Sequence, residues 1–384
     1  MNQQKFSQAL TFDDVLLLPG YCDFSRGDIT LSTPLTRSLL LHSPFVSSPM
    51  DTVTESALAI ALAELGGIGI IHRNLTVPDQ AQEVHKVKAH SAGSGQALLV
   101  GAAVGASKGY IERVEALVKA GVDIVVLDTA DGYKKYVIDA LTFMKNTYPG
   151  LQIMAGNIAT FDAAAALIEK GADCLRVGMG PGAICTTRVI TGMGVPQITA
   201  IMETVRAAKQ KNIPVIADGG IKHSGDMVKA LAAGASAVMM GSFFASALEA
   251  PGKVVELHRE HVPHRFQSIL TQEKAYQFKE YRGMGSVGAM KRGAEVKSEE
   301  EYHGKNYKDR VLVAEGVEGL VPIKGTVREL VDQAVGGIKS GMYHVGAKTF
   351  AELREKAQFI QITQASLTES HPHDILITNP GENY

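Results

Sequence analysis

Residues 97–128, ALLVGAAVGASKGYIERVEALVKAGVDIVVLD, run from one uninterrupted apolar stretch, through a segment with apolar residues three and four apart, into a second apolar stretch. Continuous apolar character suits a strand buried on both faces, as in a parallel sheet covered by helices, whereas a half-wet antiparallel strand alternates. The middle segment closes on Gly121, a common helix stop. The unit therefore reads strand, helix, parallel strand.

The same unit repeats on both sides. PFVSSPMD (44–51) and GGIGIIH (66–72) precede it, and LQIMAGN (151–157), DCLRVG (173–178), IPVIADGG (213–220) and SAVMMGS (236–242) follow, making eight strands. Helical spacing recurs between them in ESALAIALAEL (55–65), YVIDALTFMKN (136–146) and FDAAAALIEKG (161–171). Eight βα units predict an α/β fold of the (β/α)8 TIM-barrel type, with any active site at the C-terminal ends of the strands. A doubly wound open sheet is the rival. The barrel is preferred because polar or Gly-rich signals follow nearly every strand, as a ring of catalytic loops requires.

On this reading residues 1–384 form a single catalytic barrel domain with three additions. Residues 1–43 are an arm before the first strand. Residues 253–325, with the charged run KSEEEYHGKNYKDR (297–310), are expected to form a flap or lid. SAGSGQ (91–96) reads as a short flexible linker. The formal net charge of -2, with both signs interspersed, argues against a nucleic-acid partner. No stretch nears the roughly 20 apolar residues of a membrane span, and MNQQKFSQ lacks a signal peptide's apolar core, so a cytoplasmic location is expected. Cys22, Cys174 and Cys185 form no CxxC pair and suggest neither a disulfide framework nor a zinc site.

The densest chemical signal is VGMGPGAICTTR (177–188), directly after the sixth strand. Gly178, Gly180 and Gly182 open the backbone to a ligand, and Cys185 on the resulting loop is a candidate nucleophile, provided its surroundings favour the thiolate. Cys174 and Cys22 read as small hydrophobes. IADGG (216–220) and MMGS (239–242) close strands seven and eight, where barrels often bind phosphate; tight βα turns are the plainer alternative. Asp218 suits a sugar hydroxyl. Asp128 in LDTADGY and Asn157 in MAGN are read either as cofactor contacts or as helix caps. YRGMGSVGAM (281–290) reads as a loop closing over a flat ligand, or as plain surface.

Taken in order, LTFDDVLLLPGY (10–21), SSPMDTVTE (47–55), GGIGIIHRN (66–74), GPGAICTTR (180–188), GVPQITA (194–200), IADGGI (216–221), YRGMGS (281–286) and EGVEG (315–319) resemble the signatures of the inosine monophosphate dehydrogenase and guanosine monophosphate reductase family. The resemblance covers almost the whole chain. It implies that Cys185 adds to purine C2 of IMP, that hydride leaves for NAD, and that water releases XMP from a covalent thioimidate. It places Ser48, Met50, Asp218, Gly219, Gly220, Gly241, Ser242, Tyr281, Gly283, Met284, Gly285 and Glu315 around IMP. Asp128, Asn157, Gly178 and Gly180 fall near the dinucleotide, with Thr187 beside the reacting carbon. It further implies K+ held by Gly180, Gly182 and Cys185 with Glu369, Ser370 and His371 of a neighbouring subunit, and hence a homotetramer. The regulatory CBS modules usual in the dehydrogenases are replaced here by SAGSGQ.

Three departures stand out. The adjacent Arg-Tyr pair that activates water in the dehydrogenases is missing; Glu301-Tyr302 stands in the excursion, with Arg292 and Arg310 distant, which leaves the base unassigned among Tyr302, Tyr307, Arg292 and Arg310. Ala183 replaces a Ser often found before the nucleophile. LDTADGY and IMAGN are more like the reductase, which uses NADPH to deaminate GMP. However, the reductase's proton-transferring Glu would fall near Val287 or Gly288, and neither can do that work. The dehydrogenase reading is therefore preferred. The reductase is the alternative, and a nucleotide-binding homologue without turnover is a third reading.

Overall fold

Eight short strands pair in parallel and close on themselves: β1 (Phe45–Ser47), β2 (Ile68–Ile71), β3 (Val100–Val104), β4 (Ile124–Asp128), β5 (Gln152–Ile158), β6 (Cys174–Val177), β7 (Val215–Asp218) and β8 (Ala237–Met240), with β8 returning to β1. The computed structural model describes residues 7–263, 275–296 and 313–375. All eight strands predicted from apolar runs are present. Alternate side chains point inward, and Val46, Ile68, Ile70, Ile124, Val126, Met154, Cys174, Ile216 and Met239 fill the interior as one buried cluster. Each such Val, Ile or Met contributes roughly 1.5–3 kcal/mol by leaving water, so the barrel is a packed core and not a pore. Burial pushes the Cys174 thiol far up, which keeps it protonated and matches its reading as a hydrophobe.

The helices cover the outer faces: α1 (Ser56–Glu64), α2 (Val77–Ser94), α3 (Tyr110–Lys119), α4 (Lys135–Thr147), α5 (Phe161–Glu169), α6 (Gln197–Ala208) and α7 (Ser224–Ala232). The stretch read as a linker is mostly helical. Residues 91–94 form the last turn of α2, and Gly95 ends it in the left-handed conformation (φ 71°). Ser91 Oγ closes this turn by donating to Gln96 O at 2.6 Å and accepting from Leu98 N at 2.9 Å. Small residues are tolerated on an exposed final turn, so their composition did not reveal it.

The leading arm does two jobs. Val15–Leu17 pairs antiparallel with Phe359–Gln361, tying the two ends of the chain together. Thr33–Pro34 pairs with Leu40–Leu41, and from this hairpin Leu35 and Leu41 join the interior cluster and seal the N-terminal end of the barrel.

Part of the expected lid is a built sheet. β9 (Val254–His258), β10 (Ala275–Arg282) and β11 (Glu318–Pro322) form an antiparallel layer, followed after β10 by α8 (Val287–Glu295), whose cap Ser286 accepts from Ala289 N at 3.3 Å. Burial alternates along β9, the pattern of a half-wet strand.

Arg282 fastens this layer to the barrel through a fork on Asp51, Nε to Oδ1 at 3.1 Å and Nη2 to Oδ2 at 2.6 Å. Asn74 donates to the same carboxylate at 3.0 Å and to Ala289 O at 2.9 Å. Burial alone would raise the Asp51 carboxyl, but the bonds from Arg282 and Asn74 outweigh it and hold the group below its ordinary value. A depressed carboxylate stabilises the fold above the unfolded value and loses that contribution as pH falls through the folded one. Asp51→Asn is therefore expected to cost about 2–3 kcal/mol at neutral pH. Denaturant unfolding at neutral pH and near pH 3 checks this, because the gap between variant and parent should narrow in acid.

Candidate active site

β6 ends at Val177, and the chain must then cross the barrel mouth. Gly178 takes φ 152°, and a Cβ there would lie 2.1 Å from Asp218 O, so only glycine fits. Buried Gln197 braces the crossing by donating from Nε2 to Val177 O and Asp218 O, both at 3.0 Å. Beyond it, Arg188 pins the loop by donating to Met179 O at 3.2 Å and Val195 O at 2.6 Å. Pro181 packs against Gly219 and Gly220.

The loop's far edge is stitched to the segment just before β11. Cys185 bridges to Gly316, with Thr186 N donating to Glu315 O at 3.1 Å and Val317 N to Ile184 O at 2.9 Å. Cys185 is half-buried, and its Sγ donates to Thr187 Oγ1 at 3.2 Å, which in turn donates to Glu315 Oε2 at 2.8 Å. A thiol proton thus has a two-step path to a carboxylate. Glu315, expected as a substrate contact, thus stands one hydroxyl away from the candidate nucleophile.

On the side of β8 and β1, Ser48 N donates to Met240 O at 3.2 Å. A Cβ at Gly241 would meet Tyr281 Oη at 2.5 Å and Met50 Sδ at 3.1 Å, so Met50, Gly241 and Tyr281 converge, with the Ser242 backbone N–H at the phenol. Burial, helped by the charge on Asp218, pushes the Tyr281 hydroxyl far up, leaving it a hydrogen-bond donor at neutral pH. The 283–286 turn lies over the loop: Gly283 N donates to Val317 O at 3.0 Å and Glu315 N to Gly285 O at 3.1 Å. Met284 sits half-buried on this turn.

Asp128, Asn157 and Asp218, from three different strands, meet at the mouth. Asn157 Nδ2 donates to Gly178 O at 2.8 Å and Asp218 Oδ2 at 2.9 Å. Sequence reasoning missed the residue that joins the carboxylates: Arg176 Nε donates to Asp218 Oδ2 at 2.9 Å and Nη1 to Asp128 Oδ1, while Arg73 Nε reaches Asp128 Oδ2 at 3.3 Å. Its signal was a lone Arg within an otherwise apolar strand. Burial alone would weaken the hold of Arg176 on its proton, but Asp218 and Asp128 more than offset this.

Tyr302 and Arg310 fall outside the described residues, and Arg292 sits on α8 with Glu295 at 3.8 Å. Glu369 ends a helix, Gln364–Glu369, that packs on the turn at Phe12–Asp14; Ser370 and His371 follow it. Among the described residues no cluster of three or more His, Cys, Asp or Glu suits a metal ion. Among them, too, no helix is long and apolar enough to cross a membrane.

The family model of the IMP dehydrogenase / GMP reductase domain matches residues 9–373. The chain belongs to this family. Similar proteins include the inosine-5'-monophosphate dehydrogenase of Borreliella burgdorferi, 42% identical over 96% of this chain and 97% of that one. The enzymes of the same name from Aquifex aeolicus and Bacillus subtilis are each 38% identical over 100% of this chain and 99% of theirs. The Aquifex alignment runs over 504 positions, against the family member's 384 residues here, so that relative carries stretches this chain lacks.

Proposed function

We propose that the chain is an IMP dehydrogenase, oxidising inosine 5'-monophosphate to xanthosine 5'-monophosphate with NAD in guanine nucleotide synthesis. The observation that carries this reading is the Cys185–Thr187–Glu315 chain of hydrogen bonds at the mouth of the barrel. Cys185 as thiolate bonds purine C2, and the hydrogen on C2 departs with its electron pair. NAD, when bound, supplies the acceptor for that hydride. Water then adds to the same carbon, and the C2–S bond breaks to regenerate the thiol.

Thr187 and Glu315 receive the proton of the thiol and, once it has passed to solvent, that of the water, a role the sequence had left unassigned among residues of the excursion. Tyr302 is retained as a second proton carrier from the excursion. Asp218 and Tyr281 would hold the ribose and purine, with Ser48, Met50, Met284 and the glycines at 219, 220, 241, 283 and 285 leaving room, and Ser242 beside the phosphate. Asp128, Asn157, Gly178 and Gly180 would receive the dinucleotide; the two carboxylates, one arginine-held centre and an amide at one mouth fit a polar, hydroxyl-rich ligand.

Backbone carbonyls are the donor type a monovalent cation prefers, and the Gly180–Cys185 loop would supply them. K+ there, completed by Glu369, Ser370 and His371 of a second copy, makes the enzyme a homotetramer. A cytoplasmic setting goes with these substrates.

The test is product analysis. The purified chain is expected to form NADH and XMP from IMP and NAD, faster with K+ than without it. Consumption of NADPH with GMP, and none of the first reaction, would overturn the proposal in favour of the reductase. IMP binding with neither reaction would favour a nucleotide-binding homologue.

A further inference from the structure

We propose that Arg176 is a positioning residue shared by both halves of the site, one guanidinium setting the carboxylate that meets the nucleotide, Asp218, and the one that meets the dinucleotide, Asp128. The inference rests on the reading above and extends it to a residue outside both sets of expected contacts. Three strands supply the geometry. Asp128 on β4 lies beside Gly156 on β5, and Gly156 lies beside Arg176 on β6.

The middle position decides what Arg176 can reach. A Cβ on Gly156 would stand 2.8 Å from Arg176 Cβ and 2.5 Å from its carbonyl oxygen. Because that side chain is absent, Arg176 crosses over β5 to Asp128 while its Nε stays on Asp218 of the adjacent β7. The Arg176 side chain is 9% exposed, and both aspartate side chains are 13% exposed at the mouth. A planar fork can serve two carboxylates at once, which a lysine ammonium on a flexible stem does poorly.

The pairing also sorts the acceptor atoms. Arg176 and Asn157 both bind Oδ2 of Asp218, so Oδ1 keeps its lone pairs for a ribose hydroxyl. A merely structural ion pair would need one carboxylate and no empty neighbouring position. Here the bridge joins two strand ends that face ligands, and a glycine leaves its path clear.

The test compares Arg176→Lys with the parent enzyme. The KM for IMP and the KM for NAD are both expected to rise about tenfold or more, with a much smaller change in kcat. Gly156→Ala keeps every charge but obstructs the crossing, so it should reproduce the double effect, and it supplies the reading if Arg176→Lys does not fold. Calorimetric binding of IMP without dinucleotide gives a measure independent of turnover. A rise in only one of the two KM values, a fall in kcat alone, or unchanged constants would each overturn the bridge. If the parent enzyme itself neither binds IMP nor forms NADH, it is the proposed function that fails, and the variants are not needed to show it.

Discussion

Cys185→Ala is expected to abolish NADH formation, by roughly 10⁴-fold or more, while IMP still binds with near-parental affinity. The size follows from the chemistry. The aromatic C2 hydrogen of a purine does not leave as hydride until a nucleophile has made that carbon tetrahedral, and among the described residues at the mouth Cys185 is the soft nucleophile in place. Its Sγ is one small side-chain atom, whereas the pocket around the nucleotide is built from other elements, so binding should survive. Calorimetry with IMP and a spectroscopic NADH assay measure the two parts separately. NADH production at the parental rate from the alanine variant would end the covalent mechanism.

The second large effect is on proton transfer. Glu315→Gln is expected to slow turnover by about 100-fold or more, the usual share of a positioned acid-base group. Glutamine keeps the side-chain length and still accepts from Thr187 through its carbonyl oxygen, so the 2.8 Å contact is preserved in form while the proton acceptor is lost. Raising the pH should restore part of the rate as hydroxide replaces the missing base, and IMP affinity should move little. A glutamine variant with an unchanged rate at neutral pH would return the role to Tyr302 in the excursion.

The barrel was legible because each of its strands is buried on both faces, which writes an unbroken apolar word between turn signals. Cys185 was legible for a local reason, since three glycines and a thiol in one loop after a strand have few other uses. The Thr187–Glu315 bond was not, because its partners are 128 positions apart and only the sheet beyond the barrel folds one onto the other. Arg176 was hidden by its strand: a single charge in an apolar run says that something compensates it, not what. The β9–β11 layer was masked by charge, since alternating exposed residues lower the mean hydropathy of a half-wet strand to that of a loop.

The bridge between Cys185 and Gly316 gives the molecule a remote handle on its own reactivity. A small molecule that wedged the 315–317 segment outward would pull the nucleophile's backbone with it and part the sulfur from its proton relay. Such a compound would disarm the enzyme while leaving the sulfur itself untouched.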